Sequence, residues 1–133
     1  MINPGINPYE PQEVIILDRI LESPSLFTLR LQFTDSKLQD AYEFEPGQFN
    51  MLYLYGVGEI AISIVSDPQD SQVIDHTIRV VGRVTRGMDK LKTGDRIGLR
   101  GPYGRGWPMV ESKQKDIVIV TGGLGCAPVV SVI

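Results

Sequence analysis

The sequence predicts an all-β dominated fold: a small antiparallel barrel with one short helix, followed by the opening of a second, α/β unit. Three observations carry this. Short apolar or alternating runs recur at residues 14–17, 26–33, 49–55 and 60–65, separated by turns rich in Pro, Gly, Ser and Asp, the pattern of a small antiparallel β-protein. One segment, after Thr85, has the chemistry of a helix start. Near the end, Ile117-Val118-Ile119-Val120 is a continuous β-branched run that feeds Gly122-Gly123-Leu124-Gly125. That is the pattern of a parallel strand buried on both sides and leading into a Rossmann-like turn.

Residues 1–12 carry three prolines and read as an extended arm. Residues 13–22 contain Val14-Ile15-Ile16-Leu17 and form the first strand. Ser23-Pro24-Ser25 turns the chain. Residues 26–33 then alternate, with Phe27, Leu29, Leu31 and Phe33 on one face and Thr28, Arg30 and Gln32 on the other, a half-buried strand. Residues 34–42 read as a polar connector, and Glu45-Pro46-Gly47 as a type II turn. Residues 49–55 are apolar on both faces, so this strand lies under something. Residues 60–65 form a fourth strand and 66–71 a loop. Residues 77–84 and 96–100 supply further strands around the short helix.

In that helix Thr85 is the expected cap. Arg86-Gly87-Met88 then place free backbone N–H groups and a positive charge at the N-terminus, which suits an anion. An ordinary capped helix fits the same spacing. The barrel is expected to run over residues 13–110. Residues 111–115 link it to 116–133, the start of the second unit, whose remainder lies outside a chain that reads as a piece of a longer protein.

Bulk properties narrow the function. The chain has 133 residues, 42% of them hydrophobic, enough for one domain with a real core. Its net charge of −3 and pI near 5.1 give no electrostatic case for nucleic acid, which argues against a generic oligonucleotide-binding barrel. No apolar run is long enough to span a bilayer and the N-terminus is no signal peptide, so a cytoplasmic location is expected. The single cysteine allows neither an internal disulfide nor a metal cluster. Asp67, Asp70 and Asp75 make no metal site and no acid–base pair. His76 reads as a solvated surface histidine, Trp107 as a packing anchor in the core, and Cys126 as a small buried hydrophobe.

Gly82-Arg83-Val84-Thr85, Leu91, Gly94-Asp95 and Gly101-Pro102-Tyr103-Gly104 resemble the Greek-key, flavin-binding barrel of the ferredoxin–NADP reductase superfamily. Gly122-Gly123-Leu124-Gly125-Cys126-Ala127-Pro128 resembles the glycine-rich turn that opens that superfamily's nicotinamide domain. Within the superfamily, the chain resembles the electron-transfer subunits. These are the gamma (diaphorase) subunit of cytoplasmic nickel–iron hydrogenases and sulfhydrogenases, and the electron-transfer subunit of dihydroorotate dehydrogenase. Asn7-Pro8-Tyr9 and Pro46-Gly47-Gln48-Phe49-Asn50-Met51 lean towards the hydrogenase type.

The resemblance implies an FAD-dependent NAD(P)H oxidoreductase. FAD sits in the barrel, NAD(P) in the second domain, and a [2Fe-2S] centre in a cysteine-rich segment outside this chain; the partners are other subunits of a redox complex. It implies a flavin-facing strand carrying Ile62, Ser63 and Ile64, with Ser63 hydrogen-bonding near the reactive nitrogen and Ile62 in place of a stacking aromatic. Arg79, Val80 and Val81 face the ribityl chain. Val84, Thr85, Arg86, Gly87 and Met88 meet the pyrophosphate, and Gly122, Gly123 and Gly125 bring the nicotinamide cofactor's phosphates to a helix N-terminus. Ile60 stands where the family's strand has an arginine for the pyrophosphate. Arg79, Arg83 or Arg86 would replace that charge, Arg86 best placed. Without replacement the chain would be a barrel that has lost FAD and serves in docking. This chain alone is expected to lack NAD(P)H-dependent diaphorase activity.

Overall fold

The alternation in residues 26–33 sets the inside of the molecule. A computed structural model describes residues 7–133, and in it Phe27, Leu29 and Leu31 are fully buried while Phe33 is nearly so. They lie on β2 (Leu26–Phe33), which pairs antiparallel with β1 (Gln12–Ser23) and β5 (Ile74–Arg79). β3 (Phe49–Leu54) pairs with β4 (Gly58–Ser63) and β6 (Arg96–Tyr103), and β6 with β1. One six-stranded antiparallel sheet results, in the order β4-β3-β6-β1-β2-β5. β2 and β3, neighbours in sequence, are separated by β1 and β6, as in a Greek key.

The sheet curls until its edges meet. Just beyond β4, the Val65 N–H donates to the Asp75 carbonyl of β5 at 2.9 Å. No full ladder closes the seam, so the architecture is barrel-like. Inward positions of five strands fill the interior, where Val14, Ile16, Leu52, Ile74, Ile78, Ile97 and Leu99 join the β2 residues, and Ile60 and Ile62 of β4 pack against them, partly buried.

Three elements differ from the sequence expectation. Residues 34–42 are no plain connector but hold helix α1 (Ser36–Ala41), capped by the Asp35 carboxylate, which accepts from the Lys37 N–H. Its buried residue is polar: Gln39 accepts from the Phe33 N–H at 2.7 Å and donates to the Ser71 carbonyl. Helix α2 (Arg83–Asp89) starts two residues before Thr85, with Gly82 as N-cap. Residues 80–84 therefore leave the strand early, and β5 begins earlier, at Ile74. Residues 117–120 form no strand among the described residues. Val118 and Val120 are 86% and 91% exposed. After them come a 3₁₀ turn (Gly123–Cys126) and the short helix α3 (Ala127–Val130). Of the expected N-terminal arm, residues 1–6 lie outside the described residues. Tyr9 in the remainder is exposed, and the Pro8 carbonyl accepts the Tyr103 hydroxyl.

Candidate functional site

The early start of α2 changes its chemistry. Thr85 is not the cap. Its hydroxyl accepts from the Val81 and Gly82 N–H groups at 2.9 and 2.8 Å, fixing the entry to the helix from inside. Gly82 has no side chain to cap the first turn, so that end stays open to an outside acceptor. Arg86, Gly87 and Met88 belong to the middle and end of the helix, not to its start. Met88 and Thr85 are buried, so their side chains meet no surface ligand. Gly87 has a different reason to be glycine: a Cβ there would lie 2.5 Å from Leu54 Cδ2. It brings the helix onto β3.

Beside α2 lies an open cavity of about 580 Å³ lined by Gly56, Val57, Val80, Arg83, Arg86 and Lys90, among others. Arg83 is tied to the Val57 carbonyl at 2.6 Å. Arg86 makes only a long 3.5 Å contact with the Val81 carbonyl, so its charge is available. Val84 is half-buried against the core and sits by Gly58, and Val81 is exposed. Arg79 pairs with Leu26 at the end of β5 and is exposed, its side chain without a hydrogen-bonding partner among the described residues.

A second cavity, of about 390 Å³, lies on the outer face of the seam. Val65, Asp75, Thr77, Thr28 and Glu22 line one side, and Gly123, Leu124, Cys126, Ala127 and Val130 the other. The outward residues of β5, Thr77 and Arg79, run from this cavity to Val80 in the first. Thr28 holds Thr77 at 2.8 Å and donates to Glu22 at 2.8 Å. Gly123 thus shares a cavity with Thr77. Gly122 and Gly125 frame the same turn, where the Gly125 N–H donates to the Gly122 carbonyl. Cys126 is exposed here rather than buried.

Strand parity corrects the reading of β4. Ile60 and Ile62 pair with Leu52 and Asn50, both fully buried, and pack against the core, and Ile64 is itself in the core. In a strand alternate residues share a face, so these isoleucines point inward. The side chains of Ile62 and Ile64 do not present a surface to a ligand outside the barrel. The missing arginine at Ile60 is not a gap on the outer face. Ser63 points outward, opposite Phe49, and lines neither cavity.

His76 is not on the surface. It is fully buried in β5, with Nδ1 3.0 Å from the Ser63 carbonyl and Nε2 3.1 Å from the Asn50 side-chain nitrogen. Burial first of all pushes its pKa down from 6.5 to about 4, against the opposing hydrogen bond to Ser63. Asn50 Oδ1 in turn accepts from the Tyr42 hydroxyl at 2.8 Å. Gly101, at φ +145°, leaves room for the Asn50 amide, which a Cβ would overlap. The alternation Ile74-x-His76-x-Ile78 was the signal for an inward histidine. Trp107 is not in the core either. It lies over Gly47 (φ +96°), 45% exposed, and its Nε1 donates to the Pro128 carbonyl at 2.6 Å.

Residues 13–107 match the family model described as the oxidoreductase FAD-binding domain. The chain belongs to the oxidoreductase FAD-binding domain family. Sulfhydrogenase 1 subunit gamma of Pyrococcus furiosus is 41% identical over 131 residues, covering 97% of this chain and 44% of the relative. A probable dihydroorotate dehydrogenase B (NAD(+)) electron transfer subunit of Methanocella arvoryzae is 36% identical over 118 residues, covering 89% and 40%. The chain thus spans less than half the length of these curated relatives. Among solved structures, ferredoxin–NADP+ reductase of Plasmodium falciparum superposes with a TM-score of 0.76 at 18% identity, over 96% of this chain and 51% of that one, a likeness of fold. A ferredoxin NADP+ reductase of Neisseria gonorrhoeae, solved with bound FAD and NADP, gives 0.67 at 25% identity, over 91% and 49%.

The cavity beside α2 fits the diphosphate of an FAD. Its wall carries Arg86 with its charge largely unspent, Lys90 at the C-terminal end of α2, and Asp89, whose carboxylate is already paired with Arg19. No group of three or more His, Cys, Asp or Glu side chains suited to a metal occurs among the described residues. Among the described residues, no helix is long and apolar enough to cross a membrane.

Proposed function

We propose that this chain is the FAD-binding part of an electron-transfer subunit that passes electrons between NAD(P)H and an iron–sulfur centre of a partner in a hydrogenase-type complex. The observation that carries the reading is the open cavity beside α2, with Arg86 and Lys90 on its wall, joined along β5 to the cavity over the seam. When bound, FAD supplies the exchange between two-electron hydride chemistry and single-electron transfer. The chain's own residues bind and orient it. Arg86 and Lys90, with the N–H groups of the first turn, take the diphosphate. Arg79, Val80 and Val81 border the path from α2 to the seam. Ser63 presents a hydroxyl from the outer face of β4. The turn at Gly122, Gly123 and Gly125 covers the seam, where residues 111–133, with 111–115 as linker, open the NAD(P)-binding unit of a longer protein. The identity to sulfhydrogenase gamma supports the hydrogenase-type partner over the dihydroorotate dehydrogenase alternative. A cytoplasmic setting goes with that reading.

The test is the visible absorption of the purified chain with added FAD, followed through gel filtration. Retained flavin is expected. Arg86→Ala should weaken FAD binding by about tenfold, the worth of one charge-assisted contact. Failure of both this chain and its full-length parent to hold FAD would overturn the reading. The chain by itself should show no NAD(P)H-dependent dye reduction.

A further inference from the structure

The β4–β5 seam is where the backbone ladder is thinnest, and His76 lies directly beneath it. One backbone bond crosses there among the described residues, from the Val65 N–H to the Asp75 carbonyl at 2.9 Å. Side chains add two further crossings: just beyond β4 the Ser66 Oγ accepts from the Asp75 N–H at 3.1 Å, and within the strands His76 Nδ1 on β5 meets the Ser63 carbonyl on β4 at 3.0 Å.

The partners assign every atom of this contact. A carbonyl oxygen only accepts, so Nδ1 carries the proton. Nε2 is then an acceptor, and the Asn50 amide donates to it at 3.1 Å. Asn50 Oδ1 takes the Tyr42 hydroxyl proton at 2.8 Å. The imidazole has no unused polar atom, and it is fully buried. On the far side of the same peptide, the Ile64 N–H donates to the Gln48 carbonyl at 3.1 Å. The Ser63–Ile64 peptide is therefore gripped from both sides.

The position is otherwise suited to an aliphatic residue, since Ile74 and Ile78 flank it on the same face. Burying an imidazole costs desolvation that a leucine would not. A fully satisfied buried network returns that cost as a single defined geometry.

We propose that His76 is a positioning residue, a side-chain clasp across the β4–β5 seam that fixes the backbone at Ser63. Its consequence for a flavin rests on the FAD reading above. The clasp acts through Nδ1; the Tyr42–Asn50 relay holds the ring in the one tautomer and orientation that lets it donate.

Two substitutions in the full chain separate the clasp from simple core filling. In His76→Asn the amide nitrogen stands near the position of Nδ1, so the donor to Ser63 is kept. In His76→Gln the amide stands near Nε2, so the Asn50 contact is kept and the clasp is lost. Amide exchange of Ile64 and Val65 is read against Leu29 in the core, and FAD affinity is measured by titration of flavin fluorescence. His76→Gln should speed exchange at Ile64 and Val65 relative to Leu29, and weaken FAD, each by about tenfold. His76→Asn should stay within about threefold of the unmodified chain in both. If the two variants shift Leu29, Ile64 and Val65 alike, or if neither changes the seam, the clasp is overturned. If neither the unmodified chain nor its full-length parent holds FAD but the exchange pattern separates as described, the clasp stands and the FAD reading falls.

Discussion

Two quartets of nearly the same composition behave oppositely in this molecule. Val14-Ile15-Ile16-Leu17 lies in β1, between β2 and β6, with Val14 and Ile16 fully buried. Ile117-Val118-Ile119-Val120 makes no strand, and all four residues are at least 40% exposed. Both runs have high β-propensity. Only the first has neighbours whose N–H and C=O groups face its own and whose side chains cover one of its faces. A β-branched run predicts a strand only together with its partners, because most of what propensity measures is packing on a pleated surface.

The comparison breaks most sharply by mutation. Phe27→Ala, on the strand β2 that pairs with the strand holding the first quartet, should cost about 4 kcal/mol in urea unfolding, the worth of an aromatic side chain plus its cavity. A loss below about 1 kcal/mol there would mean the barrel interior is not packed as described. Acid sharpens the contrast. His76 is neutral in the folded barrel, with a pKa near 4 against 6.5 unfolded, so the unfolded chain binds the extra proton in that interval. The stability from His76 is therefore complete above pH 6.5 and lost as pH falls towards 4, on the order of 3 kcal/mol in all. Denaturant midpoints taken across that range should fall steadily, and a flat profile would contradict the buried, neutral ring. The smallest effect belongs to the second quartet. Val118→Thr should change unfolding free energy by less than about 0.5 kcal/mol, and a larger loss would show that the run is covered.

The same contrast says what was legible in the sequence. β2 was readable to the residue because Phe27, Leu29, Leu31 and Phe33 alternate without exception and all are buried. α1 was not, because its only apolar anchor is Leu38 and its buried residue is Gln39, held by hydrogen bonds to Phe33 and Ser71 that no periodicity encodes. The start of α2 was misplaced because Thr85 has the chemistry of a cap. Its hydroxyl instead satisfies donors upstream, at Val81 and Gly82. In the candidate site, the cations and the glycine-rich turn were visible as residue types. The direction of β4 was less legible, though Ile60, Ile62 and Ile64 share one parity. Taken alone, that parity would have turned them inward and freed the outer face for Ser63.

Trp107 gives the molecule an optical property. It is the one tryptophan in the chain, and it bridges the Pro46-Gly47 turn, through its own N–H to the Pro46 carbonyl at 2.8 Å, and the final segment, through Nε1 to Pro128. Indole emission responds to the polarity and hydrogen bonding of its surroundings, and here those surroundings are the meeting place of barrel and tail rather than the core. The fluorescence of this protein is thus a gauge of that junction, with the interior of the barrel dark to it.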